Sequence, residues 1–134
     1  MVIGRPHHLV IDCPDPRGLA EFWSAVLGQD VTYADDDFVV VARSDRHSGL
    51  AFQRAPGLQA PLWGDPARPQ QMHLDVMVDD VADAHARVLA LGAHRLTTAA
   101  PGAGDGDVYA DPAGHPFCLV PRPGWAPPVE EVRT

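Results

Sequence analysis

Two stretches of the sequence decide the fold: "HLVIDCPDPRGLAEFWSAVLGQDV" at residues 8–31 and "HLDVMVDDVADAHARVLALGAHRL" at residues 73–96. Each begins with His-Leu, continues as a short apolar and β-branched run, passes through an Asp-rich turn, and then shows helical spacing up to Leu-Gly. The two histidines lie 65 positions apart (73 minus 8), and the two glycines that end the stretches lie 64 apart (92 minus 28). Such self-similarity predicts a pair of half-domain modules.

Each copy carries the signals of one amphipathic helix. In the first copy, Asp15, Pro16 and Gly28 stand where an N-cap, a first helical residue and a helix stop are favoured. In the second copy the helix is expected to start around residues 79–80 and to stop at Gly92. Both helices need a sheet face to cover.

Strand candidates follow both helices in the same order. They lie at residues 30–33, 38–43 and 50–54, and again at residues 94–98, 107–110 and 117–120. The order is therefore βαβββ twice. We predict an α+β fold in which two βαβββ modules form a curved, mixed, eight-stranded sheet around one cavity. The expected single domain, 1–134, comprises module one at residues 7–54, a linker at 55–70, module two at 71–120 and an irregular tail at 121–134.

Composition excludes two classes of partner. Lys plus Arg number 10 against 18 Asp plus Glu, a net charge of -8, so the basic footprint of a nucleic-acid-binding protein is missing. No run of 18 apolar residues and no charged leader with a cleavage site is present, so neither a membrane span nor export is expected. We expect a cytoplasmic protein whose two cysteines are reduced thiols.

Alternation along the strands predicts which side chains share a face. His8 and His73 are expected on the side away from the helices, with Asp75 and Met77 beside His73. In the last strand, Phe117 and Leu119 suit the helix side, so Cys118 is expected to face the same way as His73. Cys13 is expected on the helix side, as a small core residue.

A shift of 65 positions pairs two sets of polar residues. It takes His8 to His73, and it takes Gln53 in "LAFQR" to Cys118 in "PFCLV". If the modules pack about a pseudo-twofold axis, these four side chains converge on one cavity.

The sequence resembles the vicinal oxygen chelate superfamily, in particular its glyoxalase-like and bleomycin-resistance-like members. The motifs that carry the resemblance are "FWSAVLG", "HLDVMVDD" and "YADPAGHPFCLV", within residues 7–120. The resemblance implies a small-molecule ligand and a homodimer.

In relatives that bind metal, the first and last strands of each module supply the ligands, which by position are His8, Gln53, His73 and Cys118. Relatives commonly carry glutamate on the last strands, so Gln53 and Cys118 depart from the pattern and disfavour a hard, oxygen-rich site. No cofactor is expected, with Zn as the alternative, because two imidazoles and a thiolate can hold it in a tetrahedral site with one open position.

Two functions stay open. The first is a glyoxalase-like enzyme that acts on a small oxygenated organic molecule by lyase or isomerase chemistry. In it, His8 and His73 are metal ligands or acid–base residues, and Gln53, Asp75, Met77 and Cys118 contact the ligand. The second is a metal-free protein of the bleomycin-resistance type that sequesters a drug or metabolite in the same cavity.

Overall fold

A computed structural model of the chain describes residues 1–97 and 107–129. The chain has two compact units that divide between Gln59 and Ala60, inside the expected linker. Each unit contains one βαβββ module, so the predicted α+β class and the predicted element order are confirmed. The predicted cavity needs residues of both units, so it stays a prediction. The single domain also stays a prediction.

Module one has four strands and one helix. They are β1 (His8–Cys13), α1 (Pro16–Leu27), β2 (Asp30–Ala34), β3 (Phe38–Ala42) and β4 (Gly49–Arg54). The strands form a mixed sheet in the order β1-β4-β3-β2, in which β1 and β4 are parallel and the other pairs are antiparallel.

Module two repeats this arrangement. Its elements are β5 (Leu74–Val78), α2 (Val81–Ala90), β6 (His94–Arg95), β7 (Asp107–Ala110) and β8 (Pro116–Pro121). The sheet order is β5-β8-β7-β6, again with one parallel pair, β5 and β8. β6 is shorter than expected, and the expected strand end at residue 98 lies outside the described residues.

Both helices begin at the residues that the sequence indicates, and α1 ends at the expected Gly28, whereas α2 ends at Ala90 with Leu91 as its C-cap, one residue before the expected stop at Gly92. The carboxylate of Asp15 accepts a hydrogen bond from the Gly18 N–H, Pro16 is the first helical residue, and Gly28 ends α1 with a φ of 61°. In α2 the N-cap is Asp80, whose carboxylate accepts from the Asp83 N–H. Side-chain caps of this kind satisfy amide groups that a helix leaves unpaired.

The helix sides of both sheets form apolar cores. In module one, Phe22 and Trp23 of α1 meet edge to face, with ring centroids 5.3 Å apart, and Phe52 on the sheet is fully buried. In module two, Tyr109 stacks on Phe117 at 5.6 Å, and both are fully buried. Rings of this size dominate the burial of apolar surface that stabilises a small domain.

The last strands of the two modules do not keep the shift of 65. The first strands β1 and β5 do keep it, since Cys13 and Val78 are 65 positions apart. The residues that pair with them on the last strands, Arg54 with Cys13 and Pro121 with Val78, are 67 positions apart. By strand register, Cys118 therefore corresponds to Ala51 rather than to Gln53. The expected Gln53–Cys118 pair is wrong, because connections of different length precede the two last strands.

No helix among residues 1–97 and 107–129 is both long enough and apolar enough to cross a membrane.

Candidate functional site

Three polar side chains meet on the side of the module-two sheet that faces away from α2. Asp75 on β5 lies directly opposite Cys118 on the parallel strand β8, and His73 immediately precedes β5. Phe117 and Leu119, the neighbours of Cys118, are buried on the opposite side, as alternation predicts. The structure thus brings together three of the residues that the sequence singled out.

The donor atoms of this His73–Asp75–Cys118 cluster are close enough to share one ligand. Nε2 of His73 lies 3.3 Å from Oδ1 of Asp75, and one donor atom from each residue lies within 4.8 Å of the other two. The side chains of His73 and Asp75 are 37% and 61% exposed. The cluster is open to solvent, and its geometry is set by two hydrogen-bonded strands.

The environment of Cys118 favours the protonated thiol. Burial raises the pKa of the thiol above its ordinary value, and the charge of Asp75, a hydrogen bond to Asp75 and the charge of Asp107 raise it further. Desolvation and nearby anions both disfavour a thiolate. A resting nucleophilic cysteine needs the opposite environment, so this role is disfavoured for Cys118.

A tight turn at residues 111–115 directly precedes β8 and positions Cys118 in the cluster. Asp111 is fully buried, and its Oδ1 accepts hydrogen bonds from the N–H groups of Ala113 and His115. Gly114 has a φ of 93°, and a Cβ built on it would lie 2.5 Å from Cβ of Ala60. Only glycine fits this position without strain or displacement. The turn therefore fixes where β8 begins and packs on the start of the loop that leads to His73.

The donor set fits Zn²⁺. An imidazole nitrogen, a carboxylate oxygen and a thiolate sulfur are the three ligand types that Zn²⁺ accepts in tetrahedral sites. Asp75 supplies the anionic oxygen that the last-strand positions lack. Among the residues that the structure describes, His73, Asp75 and Cys118 are the only group of three His, Cys, Asp or Glu side chains with metal-binding spacing.

His8 occupies the corresponding first-strand position of module one but has a different hydrogen-bonding state. Its Nδ1 accepts a hydrogen bond from the Gly49 N–H at 3.2 Å, so the ring proton lies on Nε2. Burial and the neighbouring His7, whose ring centroid lies 3.9 Å from that of His8 in a tilted arrangement, lower the pKa of His8. As placed, His8 offers a neutral ring with an Nε2–H donor, and neither nitrogen presents a free lone pair to a metal.

In module one, the centre of the face that corresponds to the cluster is apolar. Val40, Ala42 and Ala51 are buried there, and Phe38 packs against them. Gln53 is exposed and lies opposite Asp12 on β1. Among the described residues, the His73–Asp75–Cys118 cluster therefore has no counterpart in module one. The ligand set His8, Gln53, His73 and Cys118 joins the two units and stays a prediction.

Two further residues lie near the cluster. Met77 is on the same side of β5 as Asp75 and is 36% exposed, so an apolar surface borders the polar one. Oε1 of Gln70 lies 3.1 Å from Nδ1 of His73. Sequence reasoning placed residue 70 in the linker and missed it, because no periodic pattern marks a loop side chain that turns back to a residue three positions later.

Comparison with known proteins identifies the family. The model of the glyoxalase-like domain family matches residues 8–120, most of the chain. The chain belongs to this family. The matched segment begins at His8 in β1, contains the whole cluster, and ends at Val120 in β8. No curated protein matches.

Solved structures agree on the fold. A glyoxalase-related enzyme from Fulvimarina pelagi is 21% identical over 92% of each chain, with a TM-score of 0.65. The bleomycin-binding protein of Streptomyces verticillus, solved with copper(II)-bleomycin, is 20% identical over 92% of this chain and 100% of its own, with a TM-score of 0.55. A glyoxalase/bleomycin resistance protein/dioxygenase family enzyme from Burkholderia phytofirmans PsJN is 14% identical over 85% and 95%, with a TM-score of 0.65. The glyoxalase/bleomycin-resistance fold is thereby established.

Proposed function

We propose that this glyoxalase-like protein binds a small oxygenated organic molecule at the His73–Asp75–Cys118 cluster, with Zn²⁺ held by these three residues, for lyase or isomerase chemistry. The observation that supports the proposal is the set of three different donor atoms within 4.8 Å of one another on a solvent-open face. When bound, zinc supplies a Lewis acid that polarises a carbonyl oxygen. If the ligand carries a hydroxyl group, this group can donate a hydrogen bond to the second carboxylate oxygen of Asp75.

The chain's own residues have separate roles in this proposal. Asp75 lies beside both of the other donors, since its Oδ1 is 3.3 Å from Nε2 of His73 and its carboxylate accepts a hydrogen bond from Cys118. Met77 supplies apolar contact for the carbon skeleton. His8 stays a proposed acid–base residue, because its Nε2–H can donate and its lowered pKa keeps the ring neutral at physiological pH.

Metal analysis of protein purified without chelator or nickel resin tests this proposal. We expect about one zinc ion per chain in the wild type, and its loss in His73→Ala and Cys118→Ala. His8→Ala is the matched control and should keep its zinc. Protein that is free of zinc and takes up none on addition would overturn the metal site. Loss of zinc in His8→Ala as well would favour the ligand set drawn from both modules.

The raised pKa of Cys118 favours a second candidate, a metal-free binding protein. A thiol that keeps its proton is a poor metal ligand, but it is a hydrogen-bond donor beside the acceptor Asp75. Such a pair complements a ligand that carries hydroxyl and carbonyl groups. In this case, chelator-treated protein should still show a ligand-dependent rise in melting temperature in a screen of oxygenated metabolites and drugs.

The proposed cellular context is the cytoplasm. Cys13 and Cys118 are both thiols that form no disulfide, and Cys118 is partly exposed. A reducing compartment keeps thiols of this kind from oxidising. Fractionation of cells that express the full-length protein tests this proposal, and recovery in an exported fraction would contradict it.

A further inference from the structure

The hydrogen bond between Gln70 and His73 defines which ring nitrogen of His73 carries a proton. Oε1 of Gln70 lies 3.1 Å from Nδ1. A carboxamide oxygen can only accept, so Nδ1–H donates to it. In the neutral ring, the lone pair is then on Nε2, the nitrogen that lies 3.3 Å from Oδ1 of Asp75.

Two acceptors therefore compete for the single proton of the neutral ring. Gln70 attracts it to Nδ1, and the Asp75 carboxylate attracts it to Nε2. The second outcome blocks Nε2, because a protonated nitrogen has no lone pair for a ligand. If the acceptor beside Nδ1 is removed, no other described contact of His73 keeps the proton on Nδ1, and Asp75 attracts it to Nε2.

The loop before β5 holds Gln70 in place. The Leu62 N–H donates to the Arg68 carbonyl at 2.9 Å, and the Arg68 guanidinium donates to the Ala60 carbonyl at 2.5 Å. Pro69 restricts the backbone before Gln70, whose side chain is half-buried. The carboxamide is thus presented by a closed loop rather than by a mobile strand end.

We propose that Gln70 is a positioning residue that holds His73 as the Nδ1–H tautomer and keeps the Nε2 lone pair available to a metal ion shared with Asp75 and Cys118. A partner on the far nitrogen of a metal-binding histidine fixes its orientation and raises its basicity. The tautomer is a property of the protein alone, whereas the effect on zinc rests on the proposed function.

The first test measures the tautomer directly in metal-free protein. Long-range ¹H–¹⁵N correlation spectra distinguish Nδ1–H from Nε2–H rings at a pH at which they are neutral, and the His73 signals are those lost in His73→Ala. We expect Nδ1–H in the wild type and a shift toward Nε2–H in Gln70→Ala. Gln70→Glu, which keeps an acceptor oxygen, should restore Nδ1–H. A wild-type ring in the Nε2–H form, or one unaffected by Gln70→Ala, would overturn the proposal.

The second test measures affinity for Zn²⁺ by competition with a chromophoric chelator. Gln70→Ala should weaken binding about ten-fold or more, the range for loss of a ligand-orienting partner, and Gln70→Glu should restore it. Gln71→Ala is the matched control, because it changes the exposed neighbouring glutamine and should leave affinity unchanged. Equal affinity of Gln70→Ala and the wild type would count against the role.

The two tests separate two kinds of failure. A tautomer shift in protein that binds no zinc leaves the role of Gln70 intact and removes the zinc site. If Gln70→Ala fails to fold, Gln70→Asn provides the same comparison, since its shorter side chain keeps the amide but cannot reach Nδ1.

Discussion

At the scale of single residues, burial raises the pKa of Cys118 most, and Asp75 raises it further. Its charge and its hydrogen bond both hold the proton on the thiol, in addition to the effect of burial. The same carboxylate lies beside Nε2 of His73. One acidic side chain therefore contacts both of the other members of the cluster.

Asp75→Asn should accelerate alkylation of Cys118. A raised pKa leaves little thiolate at neutral pH, and removing the carboxylate removes two of its causes, so the pKa falls and the thiolate fraction rises. The rate of reaction with iodoacetamide at pH 7.5, followed by mass spectrometry of the Cys118 peptide, measures this effect. Burial remains, so the pKa should still exceed its ordinary value.

A charge-matched variant separates this local effect from a change in net charge. Asp83→Asn removes one exposed carboxylate from α2, on the opposite side of the sheet from Cys118. Its alkylation rate should equal that of the wild type. If both variants react at the wild-type rate, Asp75 does not control the thiol.

Sequence reasoning predicts the faces of these residues but not their mutual contacts. Alternation places His73, Asp75 and Cys118 on one side, because pleating is a local property of the backbone. It cannot show that Asp75 is the direct neighbour of Cys118, since that depends on the register of two strands distant in sequence. The contact between Gln70 and His73 depends on the conformation of a loop, which no periodic sequence pattern predicts.

At the scale of elements, the turn at residues 111–115 and the loop that starts at Ala60 locate the two halves of the cluster. The turn leads into β8 and Cys118, and the loop leads through Gln70 to His73. They touch where Gly114 faces Ala60. A change at this contact should therefore affect both stability and the site.

Gly114→Ala should destabilise the protein more than Gly64→Ala. Both glycines have positive φ, 93° and 82°, so each substitution carries a strain of about 1–2 kcal/mol. Only at Gly114 does the new Cβ meet another atom, 2.5 Å away, whereas nothing lies within 4 Å at Gly64. Urea denaturation should show a total loss of about 3 kcal/mol for Gly114→Ala, since overpacking adds its own cost.

The double variant Gly114→Ala with Ala60→Gly isolates the contact. It removes the colliding methyl group but keeps the backbone strain, so stability should recover to about the level of Gly64→Ala after correction for Ala60→Gly alone. Equal destabilisation by Gly114→Ala and Gly64→Ala would show that the Ala60 contact is unimportant.

At the scale of the whole molecule, the acidic balance and the exposed apolar residues bear on its partners. The net charge of -8 disfavours polyanions. In module one, β1 is an edge strand of its sheet, and Leu9 and Val10 on it are 42% and 46% exposed. An edge strand that carries exposed apolar side chains favours association with another chain.

The expected state is a homodimer with twice the 14.4 kDa mass of one chain. Val10→Lys should shift the light-scattering mass toward the monomer, because a charge on β1 would be buried without a partner. Val31→Lys on the other edge strand, β2, where Val31 is 44% exposed, is the matched control and should stay dimeric. A monomeric wild type at micromolar concentration would contradict this expectation.

The shift between the modules is two residues larger for the last strands than for the first strands, which shows that the connection before a last strand can change in length by an even number of residues. Side chains alternate along a strand, so a one-residue insertion between Asp111 and β8 would turn Cys118 toward α2 and bring Phe117 and Leu119 to the surface. A two-residue insertion moves the strand by about 7 Å but keeps every side chain on its own side of the sheet. Insertions in even numbers are thus the ones that an engineer could use to exchange Cys118 for another residue opposite Asp75 without disturbing the packing under the helix.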